Sequence, residues 1–218
     1  MIKCVMFDFG NVLIHFDTPR FYEYVNKYKT TDCRPEELFT GKYSQITIDY
    51  DLGKIDSRQF FNYVRKTFGL NSVRPENFFG LFGDIMEPDL EMLEIKKALI
   101  KQKVPLVLIS NINRFHLKYA QTHYPAVFDD FHYKVLSCLV GVRKPDPEMW
   151  IWPMDFLGLK AEECLFIDDY LANIEAFRKL GGRGYYYNVT DTTFSHNGNL
   201  ARERNILRTT LKVLGLIG

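Results

Sequence analysis

Residues 2–13 read IKCVMFDFGNVL, and they decide how the chain folds. An apolar, β-rich run ends on one acid, Asp8, and breaks at Gly10-Asn11. Such a run reads as a buried strand followed by a turn. The side chain at its C-terminal end then sits on rigid scaffold at the edge where open α/β sheets bind ligands. Three more short apolar runs follow, at 105–110, 163–167 and 184–187. Continuous apolar runs of this kind are parallel strands buried on both faces. The runs at 105–110 and 163–167 also end in polar residues, Ser110-Asn111 and Asp168-Asp169. Three strands therefore deliver polar tips to one sheet edge.

Helical patterns separate these strands, at 89–103, 147–157, 171–180 and 200–214. Alternating strands and helices give a doubly wound, mainly parallel α/β sheet, a Rossmann-like core. Residues 17–86 break the alternation. They carry helical patterns at 19–28, 34–41, 56–68 and 74–82, with turn signals at Leu52-Gly53-Lys54 and Gly69-Leu70-Asn71. The expected organisation is a core domain of residues 1–16 and 87–218 with a small helical cap domain of residues 17–86. A cap inserted there covers the C-terminal edge of the sheet and can exclude water.

Composition narrows the function classes. The 218 residues carry a net charge of +1, which gives no electrostatic case for a nucleic acid partner. No apolar stretch reaches the ~18 residues of a membrane span. Cys4, Cys33, Cys138 and Cys164 lack zinc-site spacing, and three of them lie in or beside apolar runs, as buried thiols do. With no signal-like leader before the first strand, a cytoplasmic protein is expected.

Each polar tip has an ordinary explanation when taken alone. An Asp at a strand end makes turns. Ser110-Asn111 reads as a helix N-cap, Lys144 as a solvated loop cation, and Asp168-Asp169 as an acid pair at a helix start. Their joint order is not explained that way. FDFGNVL with Asp8, LVLISNIN with Ser110 and Asn111, VGVRKPDP with Lys144, and CLFIDDYLANIEAFRKLG with Asp168, Asp169 and Asn173 occur in sequence. This set resembles the four motifs of the haloacid dehalogenase-like (HAD) hydrolase superfamily. The segment DLGKIDSRQF, residues 51–60, is similar to a helix-turn-helix of its C1-type caps.

The resemblance implies an aspartyl-phosphate mechanism. Asp8 is the nucleophile, and Ser110 with the backbone N–H of Asn111 holds phosphate oxygens at a helix start. Lys144 bridges nucleophile and phosphate. Asp8, the backbone carbonyl of Gly10 and Asp169 hold Mg2+, Asp168 holds a metal-bound water, and Asn173 orients the loop of the acid pair. The chemistry suits the residue types. A carboxylate and a phosphate repel each other, so in-line attack needs cations around the equatorial oxygens. The implied substrate is a small phosphorylated metabolite. A branch with a D-x-G-N-V first motif includes sugar-phosphate phosphatases.

Position 10 departs from the superfamily pattern, in which an Asp there protonates the leaving group. A general acid contributes about 10²–10⁴-fold in rate. With Gly10 in its place, the enzyme is expected to favour leaving groups of low pKa. His15, read as a loop residue near the hinge, and Asp17, read as the N-cap of the first cap helix, lie just beyond the motif. Two other readings stand beside the phosphatase: a phosphate-binding protein with weak turnover, and a metal-independent haloacid dehalogenase. Aromatic side chains such as Tyr22, Tyr43, Phe60, Phe61 and Phe79 are expected in the cap core.

Overall fold

The computed structural model describes residues 1–189 and 198–218. Its strands are β1 (Cys4–Phe7), β2 (Ile14–Phe16), β3 (Met86–Pro88), β4 (Leu106–Ser110), β5 (Tyr133–Leu136), β6 (Cys164–Asp168) and β7 (Arg183–Tyr186). Five of them form one sheet in the order β5-β4-β1-β6-β7, with every pairing parallel. After β1 the chain places β4 and β5 on one side, then crosses to place β6 and β7 on the other. The direction switches beside β1, where such sheets open a crevice at their C-terminal edge.

The helices are α1 (Thr18–Tyr28), α2 (Glu37–Thr40), α3 (Ser44–Asp51), α4 (Ser57–Phe68), α5 (Pro75–Asp84), α6 (Leu90–Lys101), α7 (Arg114–His123), α8 (Ser137–Val140), α9 (Glu148–Leu157), α10 (Leu171–Lys179) and α11 (Gly198–Val213). Strand periodicity divides the sheet's side chains between two cores. Val5 and Phe7 of β1 pack with α6, α7 and α11 through Ile95, Leu117 and Leu211. Cys4 and Met6 face the other way, onto Trp150 of α9 and Phe177 of α10. Covering both faces is what lets β1 be apolar throughout.

Helices α1 to α5 pack around a separate aromatic core that includes Phe21, Tyr50, Phe60, Phe68, Phe78 and Phe82. Phe60 and Phe61 are buried there, while Tyr22, Tyr43 and Phe79 line its margin. The two chain passages between sheet and helical lobe pair with each other. β2 and β3 form an antiparallel ribbon, with Phe16 opposite Met86. The lobe rests on α7, where the Phe82 ring stacks on His116 at 4.1 Å.

Several expectations change. The sheet has a fifth strand, β5, that the sequence pattern did not reveal. His15 is not a loop residue: it lies on β2, buried, with Nε2 2.9 Å from Asp89 Oδ2. Arg204 of α11 reaches the same carboxylate oxygen at 2.7 Å, so the pair ties the ribbon to the core. Asp17 does cap α1, accepting from the Arg20 N–H. Ser110 is not at a helix start. It ends β4, and the next helix begins at Arg114 with Asn113 as its N-cap. On α11, Leu207 and Leu211 are buried and Ile206 is exposed.

Candidate active site

Asp8 follows β1 directly and is 8% exposed. The chain then folds tightly back on itself. Phe9 O accepts from the Leu13 and Ile14 N–H groups, and the Asn11 N–H donates to Ile14 O at 2.6 Å. The turn puts Asn11 at φ 53°, a left-handed conformation that Asn tolerates better than most residues. From there Asn11 Nδ2 donates to Asp169 Oδ2 at 2.9 Å. The turn after β1 is thereby fastened to the tip of β6.

Lys144 joins the same tips through a buried ladder. Its Nζ lies 2.6 Å from Asp8 Oδ1 and 2.7 Å from Asp168 Oδ2. Burial pushes the ammonium down, but the charges of Asp168 and Asp8 outweigh it and raise the Lys144 pKa. The Asn111 side chain clamps the lysine backbone, accepting from the Lys144 N–H at 2.8 Å and donating to its carbonyl at 3.1 Å. Asp168 is fully buried and engaged by the chain. It accepts from Lys144, from the Tyr170 N–H at 2.7 Å and from Asn173 Nδ2 at 3.1 Å on each oxygen. Asn173 thus orients this acid. Both interactions of the Asp8 carboxylate fall on Oδ1, from Lys144 and the Phe9 N–H, which leaves Oδ2 unused among the described residues.

Electrostatically the cluster is short of positive charge. Carboxylate oxygens of Asp8, Asp168 and Asp169 come within 4.8 Å of one another. Three carboxylates against one lysine leave a formal charge of −2. Burial drives the Asp8 carboxyl well above its usual range, Lys144 pulls it back, and Asp168 and Asp169 add to the rise. Asp169 is raised as well, chiefly by burial, with the Asn11 hydrogen bond opposing. Hard oxygen donors with this deficit fit a divalent cation of the magnesium type.

A cavity of about 500 Å³ opens over these tips, with Asp8, Gly10, Asn111, Lys144 and Asp169 on its floor. Ser110 is 1% exposed and does not line it. The opposite wall comes from the lobe. Ser44, Thr47, Ile48 and Asp51 of α3 line the cavity at i, i+3, i+4 and i+7, which is one helical face. Arg143 and Tyr170 flank it. Sequence reasoning missed Asn11, Asp51 and Arg143. No helix was assigned to 44–51, so the polar face that carries Asp51 gave no signal of a site.

A family model of haloacid dehalogenase-like hydrolases matches residues 2–181. The chain is a haloacid dehalogenase-like hydrolase. Among curated relatives of this HAD protein, a sesquiterpene phosphatase of Aspergillus oryzae is 27% identical over 192 residues, 87% of this chain and 91% of the relative. A D-ribitol-5-phosphate phosphatase of Bacteroides thetaiotaomicron is also 27% identical, over 83% of this chain and 89% of the relative. A solved HAD family enzyme of B. thetaiotaomicron, in complex with magnesium and inorganic phosphate, superimposes with a TM-score of 0.73. It is 24% identical and covers 91% of this chain and 100% of its own. An L-2-haloacid dehalogenase shares the fold at a TM-score of 0.61 and 18% identity, over 85% of this chain and 84% of its own. Among the described residues, no helix is long and apolar enough to cross a membrane.

Proposed function

We propose that this HAD hydrolase is a magnesium-dependent phosphatase of small, hydroxyl-rich phosphate esters such as sugar phosphates. It would act through an aspartyl-phosphate on Asp8 and belong to the C1-capped branch with a D-x-G-N-V first motif, residues 17–86 being the cap. One observation carries the reading: the buried Asp8–Lys144–Asp168 ladder with Asp169 beside it, short of two positive charges. A metal-independent dehalogenase has no use for such a cluster, because the added carboxylates would only repel an anionic substrate.

Asp8 Oδ2 attacks phosphorus while Lys144 neutralises charge on the nucleophile and the phosphate. The Asn111 N–H would hold an equatorial oxygen from the cavity floor, and Ser110, buried behind it, would reach the phosphate only if its hydroxyl turned into the cavity. Asp8, the Gly10 carbonyl and Asp169 would hold Mg2+, which when bound supplies charge neutralisation at the phosphate. Asp168 stands behind these ligands and orients Lys144 as well as the metal's water shell. The Ser44, Asp51 and Arg143 side chains that line the cavity suit a polyol better than a terpenyl chain.

A panel of phosphorylated sugars and polyols, with magnesium or EDTA, tests the reading. Phosphate release that needs magnesium and disappears in Asp8→Asn is expected. Binding of phosphate esters without release would make the protein a binder, and halide release in EDTA would make it a dehalogenase.

A further inference from the structure

Gly10 leaves the tip of β1 without a second acid beside Asp8, so the proton for the departing oxygen must come from elsewhere in the cavity. In-line transfer puts the leaving oxygen on the far side of phosphorus from Asp8. That direction runs away from the sheet toward the cap wall. Among the described residues, Asp51 is the one acid that the cap contributes to the cavity lining.

Asp51 is placed with care and poorly satisfied. Its backbone carbonyl accepts from Ser137 Oγ at 2.6 Å, which pins the end of α3 to the core. Its Oδ1 has one long contact, 3.4 Å from Asn113 Nδ2. That amide is itself held by His116: Nε2–H of the imidazole donates to Phe82 O at 2.7 Å, so Nδ1 is left to accept from Asn113 at 3.1 Å. The carboxyl also occupies the last position of α3, where the helix dipole disfavours negative charge. Nothing in folding asks for an acid there.

We propose that Asp51 is the general acid and base of this enzyme, doing from the cap what Gly10 cannot do from the strand. The inference rests on the phosphatase reading. In the first step an Asp8 oxygen forms a bond to phosphorus as the ester P–O bond breaks. The electron pair goes to the leaving oxygen, which takes the Asp51 proton. In the second step water attacks phosphorus and gives its proton to the Asp51 carboxylate, and the Asp8–phosphorus bond breaks to restore the Asp8 carboxylate. Both partners end as they began. Burial lifts the Asp51 carboxyl to about 6, with Arg143 and the Asn113 hydrogen bond opposing, so it can both donate and accept near neutrality. The other titratable groups nearby are Cys138 of α8 and Tyr50 of its own helix.

The test uses a series of phosphate esters, from nitrophenyl to a polyol phosphate, with magnesium present. Wild type should show a shallow dependence on leaving-group pKa, in place of the preference for low-pKa leaving groups that Gly10 alone leads one to expect. Asp51→Asn should make it steep, losing about 10²–10⁴-fold on the polyol ester and progressively less as the leaving group improves. Asp51→Glu, which keeps an acid, should recover part of the shallow dependence. The wild-type rate on the polyol ester should carry a pH limb near 6 that Asp51→Asn lacks. An equal loss on every ester would overturn the proposal and leave Asp51 a structural residue. A steep dependence already present in wild type, unchanged in the variant, would overturn it while the phosphatase reading stands. No release by wild type from any ester would remove both.

Discussion

Asp51→Asn should make the protein more stable at pH 8 even as it impairs turnover. The Asp51 carboxyl rises from 3.8 to about 6 in the fold, with burial as the leading cause. The native state therefore binds more protons than the unfolded chain between those values, and stability falls as pH rises through them. The full cost is present above pH 6 and absent below 3.8. At about 1.4 kcal/mol for each pH unit, the gap amounts to roughly 3 kcal/mol. Partial exposure to the cavity trims this to about 1–3 kcal/mol. An asparagine keeps the shape and the acceptor for Asn113 without the charge. Urea unfolding from pH 4 to pH 8, comparing extrapolated stabilities, measures the difference. The two proteins should be matched at pH 4, with the variant ahead above pH 6. A variant that is less stable at pH 8, or a difference that ignores pH, would refute the reasoning.

Other perturbations follow from the same geometry. Lys144→Met leaves the Asp8 and Asp168 carboxylates buried without their cation, and should cost about 3–5 kcal/mol at pH 8 by urea unfolding. That loss should shrink at low pH, where Asp8, with its raised pKa, takes up a proton. His116 titrates the opposite way: burial lowers it to about 4, so its stabilisation is complete above pH 6.5 and lost as pH falls to 4. His116→Phe should be less stable at pH 8 by about 1–3 kcal/mol, for unpaired Asn113 and Phe82 groups, and should converge on wild type near pH 4. Gly53 sits at φ +68° with Cys138 O 2.6 Å from where a Cβ would stand. Gly53→Ala should cost about 1–3 kcal/mol and raise KM as the α3 wall of the cavity shifts.

The central strands were legible because burial on both faces writes them as unbroken apolar runs. β5 was not: Tyr133 and Lys134 lie at the sheet edge and only Val135 and Leu136 are buried, too little for a pattern. The β2–β3 ribbon has three residues in each strand, below what periodicity can reveal. α3 was hidden by β-branched Ile46, Thr47 and Ile48, which weaken the helical signal. Its polar face also looks like any solvated helix face. Only the fold shows that the face lines a cavity, and for that reason Asp51 was invisible from sequence. Asp8, Ser110, Asn111, Asp168 and Asp169 were legible because they end strands or follow them directly, whereas Lys144 lies in a loop and was legible only through its VGVRKPDP motif. Asn11 was read only as part of the turn after the first strand. Its bond to Asp169 depends on a left-handed turn that sequence alone does not announce.

The central claim is that Asp8 carries the phosphoryl group, and trapping it tests this most directly. Enzyme mixed with magnesium and a substrate, then quenched in acid within a single turnover, should gain the mass of one phosphoryl group on the peptide containing Asp8. Asp8→Asn should gain none. Turnover by wild type with no adduct on that peptide, or an equal adduct on the variant, would contradict the account.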